Sequence, residues 1–128
     1  MRLRCPRSCP VGVGALSGWR FRINAAGWAT VVPESGAQVY GRLWELPVED
    51  ELALDVYEDL PGGLYSKDAV VLNASPVPGR PVMIYQATDS SPGRAAPWYL
   101  DPILEEAADC GFPEAYLEEL RRWRHPLR

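Results

Sequence analysis

One carboxylate in the sequence, Glu58, lies where a short helical pattern must end, in the stretch LALDVYEDLPGGLY (52–65). Acidic residues stabilise the start of a helix and are unfavourable at its end, so helix electrostatics does not explain this position. If the strand after the Pro-Gly-Gly turn folds back over Glu58, burial raises the pKa of the carboxyl toward the range that suits proton transfer. Glu58 is therefore a candidate for proton transfer. A solvated helix face is the alternative for Glu58 and for Asp55 on the same side of the helix.

The other common catalytic arrangements are missing from the sequence. Its single histidine, His125, lies close to the C-terminus, so no Ser or Cys nucleophile has a catalytic histidine nearby. Cys5 and Cys9 have a spacing that metal ligands use, but a zinc site needs further Cys or His residues. Together with Cys110 they make three cysteines, an odd number that favours free thiols in a reducing cytoplasm. We therefore expect no metal site and a cytoplasmic location.

Length and composition indicate a single domain spanning residues 1–128, with 47% hydrophobic and 23% charged residues. The net charge of −4 argues against nucleic acid and against an anionic membrane surface as partners. No stretch approaches the roughly 20 apolar residues of a membrane span. The 13 prolines and 11 glycines predict many turns and short strands rather than a helical bundle.

The elements that must position Glu58 follow from hydrophobic periodicity and from turn residues. Period-two alternation predicts strands, and Gly41 inside one of them suggests a bulge or a close approach by another backbone or a ligand. Helical spacing predicts a helix after Pro47 with a stripe of Leu52, Val56 and either Leu54 or Tyr57, and two helices near the C-terminus. The predicted order is strands 11–24, 28–33 and 38–46, separated by turns at 24–27 and 34–37, the helix from 47, strands 64–73 and 80–88, and helices ending near Gly111 and beginning near Pro113. This is an α+β fold with a mainly antiparallel sheet curled into a small barrel, followed by a helix pair.

The sequence also resembles the gamma-glutamylcyclotransferase family, in order and over nearly the whole chain. The stretches that carry the resemblance are RCP, GALSGWRFRINAAGWATVVPESGAQVYGRLWEL, LDVYEDLPGGLYSKDAVVL, VMIYQAT and PWYLDPILEEAADCGFPEAYLEEL. They contain a G-x-A-T strand, a V-x-G-x-L/V-W strand, an L-D-x-x-E helix end with a G-x-Y return, and a closing P-x-x-Y-L helix pair with G-[LF]-P. The resemblance implies a small mixed barrel with a cavity that needs no metal and no organic cofactor.

The activity implied by the resemblance is cyclisation of a γ-glutamyl amide to 5-oxoproline, with release of an amine or amino acid. Glu58 matches the family's catalytic glutamate by its place in L-D-x-x-E. Tyr85 and Tyr99 match tyrosines that line the family's pocket, and Tyr65 is a weaker candidate at its mouth. The alternative for these tyrosines is a core aromatic ring with a hydrated hydroxyl. Three tryptophans are expected to belong to the core or rim rather than to bind the substrate, namely Trp28, Trp44 and Trp98.

Two departures from the family pattern bear on function. The family's first strand carries Tyr-Gly-Ser-Asn and a substrate-cradling loop, and no such motif occurs here. We expect this chain to lack that strand, either as a short form or as part of a longer protein, and an open sheet edge invites a homodimer. Asp59 stands where the family has glycine. The alternative functions are therefore a non-catalytic domain that binds a small metabolite and an interaction domain that dimerises.

Overall fold

The structure is a computed structural model that describes residues 9–58, 60 and 62–124. Three residues singled out in the sequence, Cys5, Asp59 and His125, lie outside the described residues. Within the described part of the chain, no helix combines the length and the hydropathy needed to cross a bilayer.

A long antiparallel hairpin forms the first half of the molecule. Strand β1 spans Cys9–Ile23 and strand β2 spans Ala29–Glu45. The predicted turn over 24–27 joins them, and Gly27 adopts a φ of +90°, which side chains with a Cβ avoid. The ladder runs from the pair Ile23–Ala29 beside the turn to the pair Cys9–Glu45 at the open end.

Residues 34–37, predicted as a second turn, lie instead in a large bulge within β2. The pairing passes from Ser17–Gln38 to Trp19–Pro33, so four residues of β2 lie opposite Gly18 alone. Small and polar residues suit a bulge as well as a turn, and here β1 continues as the partner strand on both sides. The predicted second and third strands are therefore one strand. Gly41 is not at a bulge, because it pairs with Gly14 in a regular part of the ladder.

A helix and a second hairpin follow. Helix α1 spans Val48–Tyr57, and strands β3 (Tyr65–Val71) and β4 (Pro81–Ala87) pair antiparallel. The two hairpins form separate two-stranded sheets among the described residues, so the predicted barrel is not closed there. The links between the two sheets include an isolated bridge between Ala15 and Ala74 and a hydrogen bond in which the Ala87 N–H donates to the Thr30 hydroxyl at 2.8 Å. A closed barrel needs a continuous ladder between neighbouring strands.

The predicted helix pair closes the chain as α2 (Pro97–Asp109) and α3 (Glu114–Arg121). Gly111, with a φ of +74°, ends α2 as predicted. Its N–H donates to the Ala108 carbonyl at 3.0 Å and the Phe112 N–H donates to the Ala107 carbonyl at 3.3 Å, which is the Schellman arrangement. Pro113 then caps the start of α3, where its missing N–H costs nothing.

The main core lies between one face of the first hairpin and this helix pair. Ile23 and Leu100 are completely buried and Leu120 is 2% exposed, so the three elements β1, α2 and α3 meet at these side chains. The rest of the buried cluster comprises Phe21, Ala95, Ala107, Tyr116 and Leu117. Burying large apolar side chains in this way supplies most of the free energy that holds the sheet against the helices.

Helix α1 packs through a different face from the predicted stripe. The predicted stripe contained Leu52, Val56 and either Leu54 or Tyr57. Leu54 is buried, but Leu52 and Val56 are 59% and 73% exposed. Asp50, four residues before Leu54, is buried beside it on the inner face. The periodicity was ambiguous because both faces of this short helix carry apolar residues, and tertiary contacts selected the one with Leu54.

Candidate functional site

The end of helix α1 places Glu58. Its backbone N–H donates to the Leu54 carbonyl at 2.8 Å, so Glu58 completes the last turn of the helix. The chain then reverses through Gly63, whose φ is +80°, and enters β3 at Tyr65. The strand therefore returns beside the helix end, as the Pro-Gly-Gly turn predicted. The Glu58 side chain is half-buried in this corner.

Two predicted tyrosines converge on the backbone of one residue, Ala29 at the start of β2. The Tyr65 hydroxyl donates to the Ala29 carbonyl at 2.7 Å, and the Ala29 N–H donates to the Tyr99 hydroxyl at 2.9 Å. Tyr65 is buried, whereas the sequence placed it at a cavity mouth. Burial is the main reason why the pKa of Tyr65 lies well above its ordinary value, and the nearby Tyr99 and the negative charge of Glu58 raise it further.

The third predicted tyrosine, Tyr85, belongs to a charged network on the same side of the molecule. Its hydroxyl donates to Asp55 Oδ1 at 2.5 Å. Lys67 Nζ donates to both Asp55 oxygens, at 3.1 and 2.9 Å, and to Glu51 Oε2 at 2.6 Å. Burial, the bond to Asp55 and the charges of Asp55, Glu51 and Glu58 raise the pKa of Tyr85 well above its ordinary value. The negative charge of Glu58 contributes to the raised pKa of both Tyr65 and Tyr85.

Sequence reasoning treated Asp55 as a surface charge and missed Lys67 and Glu51. The Asp55 side chain is 19% exposed, and its pKa lies below the ordinary value because Tyr85 and Lys67 donate to it, against the opposing effect of burial. Lys67 and Tyr85 are a cross-strand pair of the second hairpin. The sequence does not determine the register of this hairpin. With that register, strand pairing would have predicted that Lys67 lies beside Tyr85.

Two of the three tryptophans flank Tyr99. The rings of Trp28 and Trp98 meet the Tyr99 ring edge-on, with centroids 5.1 and 6.0 Å away. Trp98 is 72% exposed, so it covers one flank of Tyr99 without being part of the core. Such edge-on contacts orient an aromatic ring and leave its hydroxyl to form polar contacts.

A separate cavity of about 640 Å³ lies between β2 and the helix pair. Gly41 is on its wall, and a Cβ placed there would meet nothing within 4 Å. At its edge Arg42 and Glu106 form an ion pair at 2.6 Å that joins the strand to α2. None of the four predicted site residues lines this cavity. Its wall is mostly apolar and aromatic, with Phe21, Val39, Tyr40, Trp44, Ile103, Phe112 and Tyr116 among the lining residues.

Among the described residues, no group of three or more His, Cys, Asp or Glu side chains is arranged to hold a metal ion. Cys110 is a free thiol, half-buried beside the cavity. The described polar groups around Glu58 can instead exchange protons and hydrogen bonds: a carboxylate in a half-buried corner, three tyrosines and a paired carboxylate–ammonium network.

Comparison with known proteins gives a family and a fold. The sequence profile of the AIG2-like family matches residues 38–120. No curated protein matches the chain. A solved structure of an uncharacterized protein from Homo sapiens is 21% identical, with a TM-score of 0.86 over 99% of this chain and 82% of the human chain.

Two further solved structures have the same architecture. A gamma-glutamyl cyclotransferase is 21% identical, with a TM-score of 0.83 over 99% of this chain and 81% of that chain. YkqA from Bacillus subtilis is 19% identical, with a TM-score of 0.78 over 88% of this chain and 43% of that chain. At these identities the likeness establishes the mixed α+β fold with antiparallel sheets and three helices, and fold alone does not specify activity.

Proposed function

We propose that this chain, which belongs to the AIG2-like family, is a γ-glutamyl cyclotransferase-like enzyme that uses Glu58 as its general acid/base. The substrate is a γ-glutamyl amide. Its α-amino nitrogen attacks its own γ-carbonyl carbon, the amide C–N bond breaks, and the products are 5-oxoproline and a free amine or amino acid. The proposal includes a cytoplasmic location, where Cys110 stays reduced.

The observation that carries this proposal is the convergence of Glu58, Tyr65, Tyr85 and Tyr99 from four different elements. Tyr65 and Tyr99 both bind the backbone of Ala29, and the charge of Glu58 contributes to the raised pKa of both Tyr65 and Tyr85. These four residues were selected from the sequence without knowledge of their positions. Their assembly around one corner of the fold supports a common role.

Three neighbouring groups are poorly suited to carry the proton in the proposed reaction. Tyr65 and Tyr85 have raised pKa values, so both are neutral phenols at neutral pH and cannot serve as bases. Asp55 has a lowered pKa and is engaged by Tyr85 and Lys67, which makes its carboxylate a weak base.

In the proposed reaction Glu58 performs both proton transfers. It removes a proton from the α-ammonium group of the substrate, because an ammonium nitrogen has no lone pair with which to attack. It then returns that proton to the leaving nitrogen as the C–N bond breaks, and the ring nitrogen loses its remaining extra proton to solvent, which leaves the neutral N–H of 5-oxoproline. The attack is intramolecular, so a site that holds the γ-glutamyl group folded toward ring closure supplies much of the rate enhancement. Tyr65, Tyr85 and Tyr99 hold that group in the proposal.

The test is release of 5-oxoproline from a panel of γ-glutamyl amides by the wild type and by Glu58→Gln. We expect turnover by the wild type and a loss of at least about 100-fold in the variant, the usual value of a general acid/base. Glu105→Gln is the matched control, because Glu105 is an exposed glutamate on α2. A folded wild-type protein that turns over no γ-glutamyl amide, or a Glu58→Gln variant of unchanged activity, would contradict the proposal.

A non-catalytic binding domain is the competing function, and the cavity beside Gly41 favours it. That cavity is mostly apolar and none of the four predicted site residues lines it. Under this alternative an apolar metabolite occupies the cavity and no 5-oxoproline is formed. Gly41→Leu fills the cavity from its wall: it abolishes ligand binding if the alternative holds, and leaves 5-oxoproline release unchanged if the enzyme proposal holds.

A further inference from the structure

The hydrogen bond between Tyr85 and Asp55 has a defined direction. A carboxylate that carries no proton can only accept, and the lowered pKa of Asp55 keeps it in that form at neutral pH. Tyr85 therefore donates its one hydroxyl proton to Asp55 Oδ1, at 2.5 Å. A tyrosine whose proton is already committed can offer a ligand only the lone pairs of its oxygen. Tyr85 is thus an acceptor toward anything that binds beside it.

Lys67 holds this arrangement in place. It binds both oxygens of Asp55 and one oxygen of Glu51, so Asp55 has little freedom to turn away from Tyr85. Lys67 also pairs with Tyr85 across the second hairpin, which ties the network to the backbone register. Its positive charge offsets part of the negative charge of the two carboxylates. The group presented at Tyr85 is consequently a neutral oxygen that Asp55 polarises, rather than a bare anion.

The γ-glutamyl group has few hydrogen-bond donors that can meet such an acceptor. Its α-carboxylate and γ-carbonyl only accept, whereas its α-amino group donates. Glu58 must reach the same α-amino nitrogen to remove its proton, and the charge of Glu58 lies near Tyr85. Resting on the proposed function, we propose that the Tyr85 oxygen accepts a hydrogen bond from the substrate α-amino group, and that Asp55 is the positioning residue that makes Tyr85 an acceptor.

This assignment explains why the acceptor is a phenol. A second carboxylate in contact, besides Glu58, would stabilise the ammonium form and oppose its deprotonation. A neutral oxygen can accept an N–H from either the ammonium or the amine. When one N–H stays on Tyr85 while Glu58 removes another proton, the amino group is less free to rotate, which helps to orient its lone pair for attack on the γ-carbonyl.

The experiment compares two ligands that differ only in the α-amino group: a γ-glutamyl alkylamide and the corresponding glutaryl alkylamide. Binding is measured by calorimetry in the Glu58→Gln protein, so that no turnover intervenes. We introduce Asp55→Asn and Tyr85→Phe separately into the Glu58→Gln protein. Each should lower the affinity for the γ-glutamyl ligand about 10- to 100-fold, as for loss of a hydrogen bond to a charged group. The glutaryl ligand should bind all these proteins equally well. Asp68→Asn removes the same charge from an exposed position on β3 and should change neither affinity.

The outcomes separate this inference from the proposed function. An equal loss of affinity for both ligands would mean that Asp55 only supports the local structure. Unchanged affinities would mean that Asp55 affects the binding of neither ligand. Both results overturn the inference, even if the wild type releases 5-oxoproline. Failure of the wild type to bind or convert any γ-glutamyl compound overturns the proposed function and this inference with it. Selective loss of the ligand that carries the α-amino group, in both variants, supports the inference.

Discussion

The side chain of Asn24 should be one of the most important polar groups for stability, because it joins the turn of the first hairpin to the loop before α2. It is 2% exposed. Its Oδ1 accepts from the Trp28 N–H at 3.0 Å and its Nδ2 donates to the Asp89 carbonyl at 3.1 Å. Ala29, which binds Tyr65 and Tyr99, is the next residue after Trp28. Asn24 therefore supports the backbone on which the candidate site is built.

Asn24→Ala removes both of these hydrogen bonds and leaves a small void. A buried hydrogen bond contributes about 1 kcal/mol, so the two bonds together account for about 2 kcal/mol. Loss of side-chain packing adds to this, whereas water can reach the exposed Asp89 carbonyl and limits the cost there. We expect the free energy of unfolding to fall by about 2–3 kcal/mol.

Equilibrium unfolding in urea measures this loss as a lower midpoint at an unchanged slope. Asn73→Ala is the matched control. Its Oδ1 also accepts from a backbone N–H, that of Ser17 at 2.7 Å, but the residue is exposed and water replaces the bond. We expect the control to lose no more than about 0.5 kcal/mol. Equal losses in the two variants, or a loss below about 0.5 kcal/mol in Asn24→Ala, would refute the reasoning from burial.

Two further predictions follow from packing and from charge. Gly93→Ala places a Cβ in a severe clash with the Asn24 carbonyl oxygen, which is backbone and cannot move aside, so thermal unfolding should show a loss of more than about 2 kcal/mol. Gly41→Ala, which meets nothing within 4 Å, should show almost none, and a similar loss in both would contradict the steric argument. The pKa of Asp55 is lower in the folded chain than its ordinary 3.8, so its stabilising effect is complete above that pH and is lost as the pH falls through the folded-state value. The stability difference between wild type and Asp55→Asn should therefore shrink on acidification, and a constant difference would show that ionisation of Asp55 is not its source.

The features that sequence predicted correctly depend on neighbouring residues. The turn over 24–27, the end of α2 at Gly111 and the start of α3 at Pro113 all follow from backbone preferences of glycine, proline and asparagine. The resemblance, carried by motifs in order along the chain, gave the mixed α+β fold that the solved structures share.

The errors occurred where the outcome depended on a partner distant in sequence. Residues 34–37 have turn-forming types, but β1 pairs on both sides of them and converts the turn into a bulge. The stripe of Leu52 and Val56 is apolar, but the rest of the molecule packs on Leu54 instead. Local pattern cannot decide between two faces when both carry apolar residues.

The candidate site shows the same division. Sequence alone selected Glu58, Tyr65, Tyr85 and Tyr99 by residue type and motif, and it placed the glutamate at a helix end. Only the tertiary structure brought Tyr85 and Lys67 to Asp55 and set two tyrosines on the backbone of Ala29. Residue type and local conformation are properties of short segments, whereas hydrogen-bond direction and charge pairing depend on the register of β3 against β4 and on how α1 packs beside them.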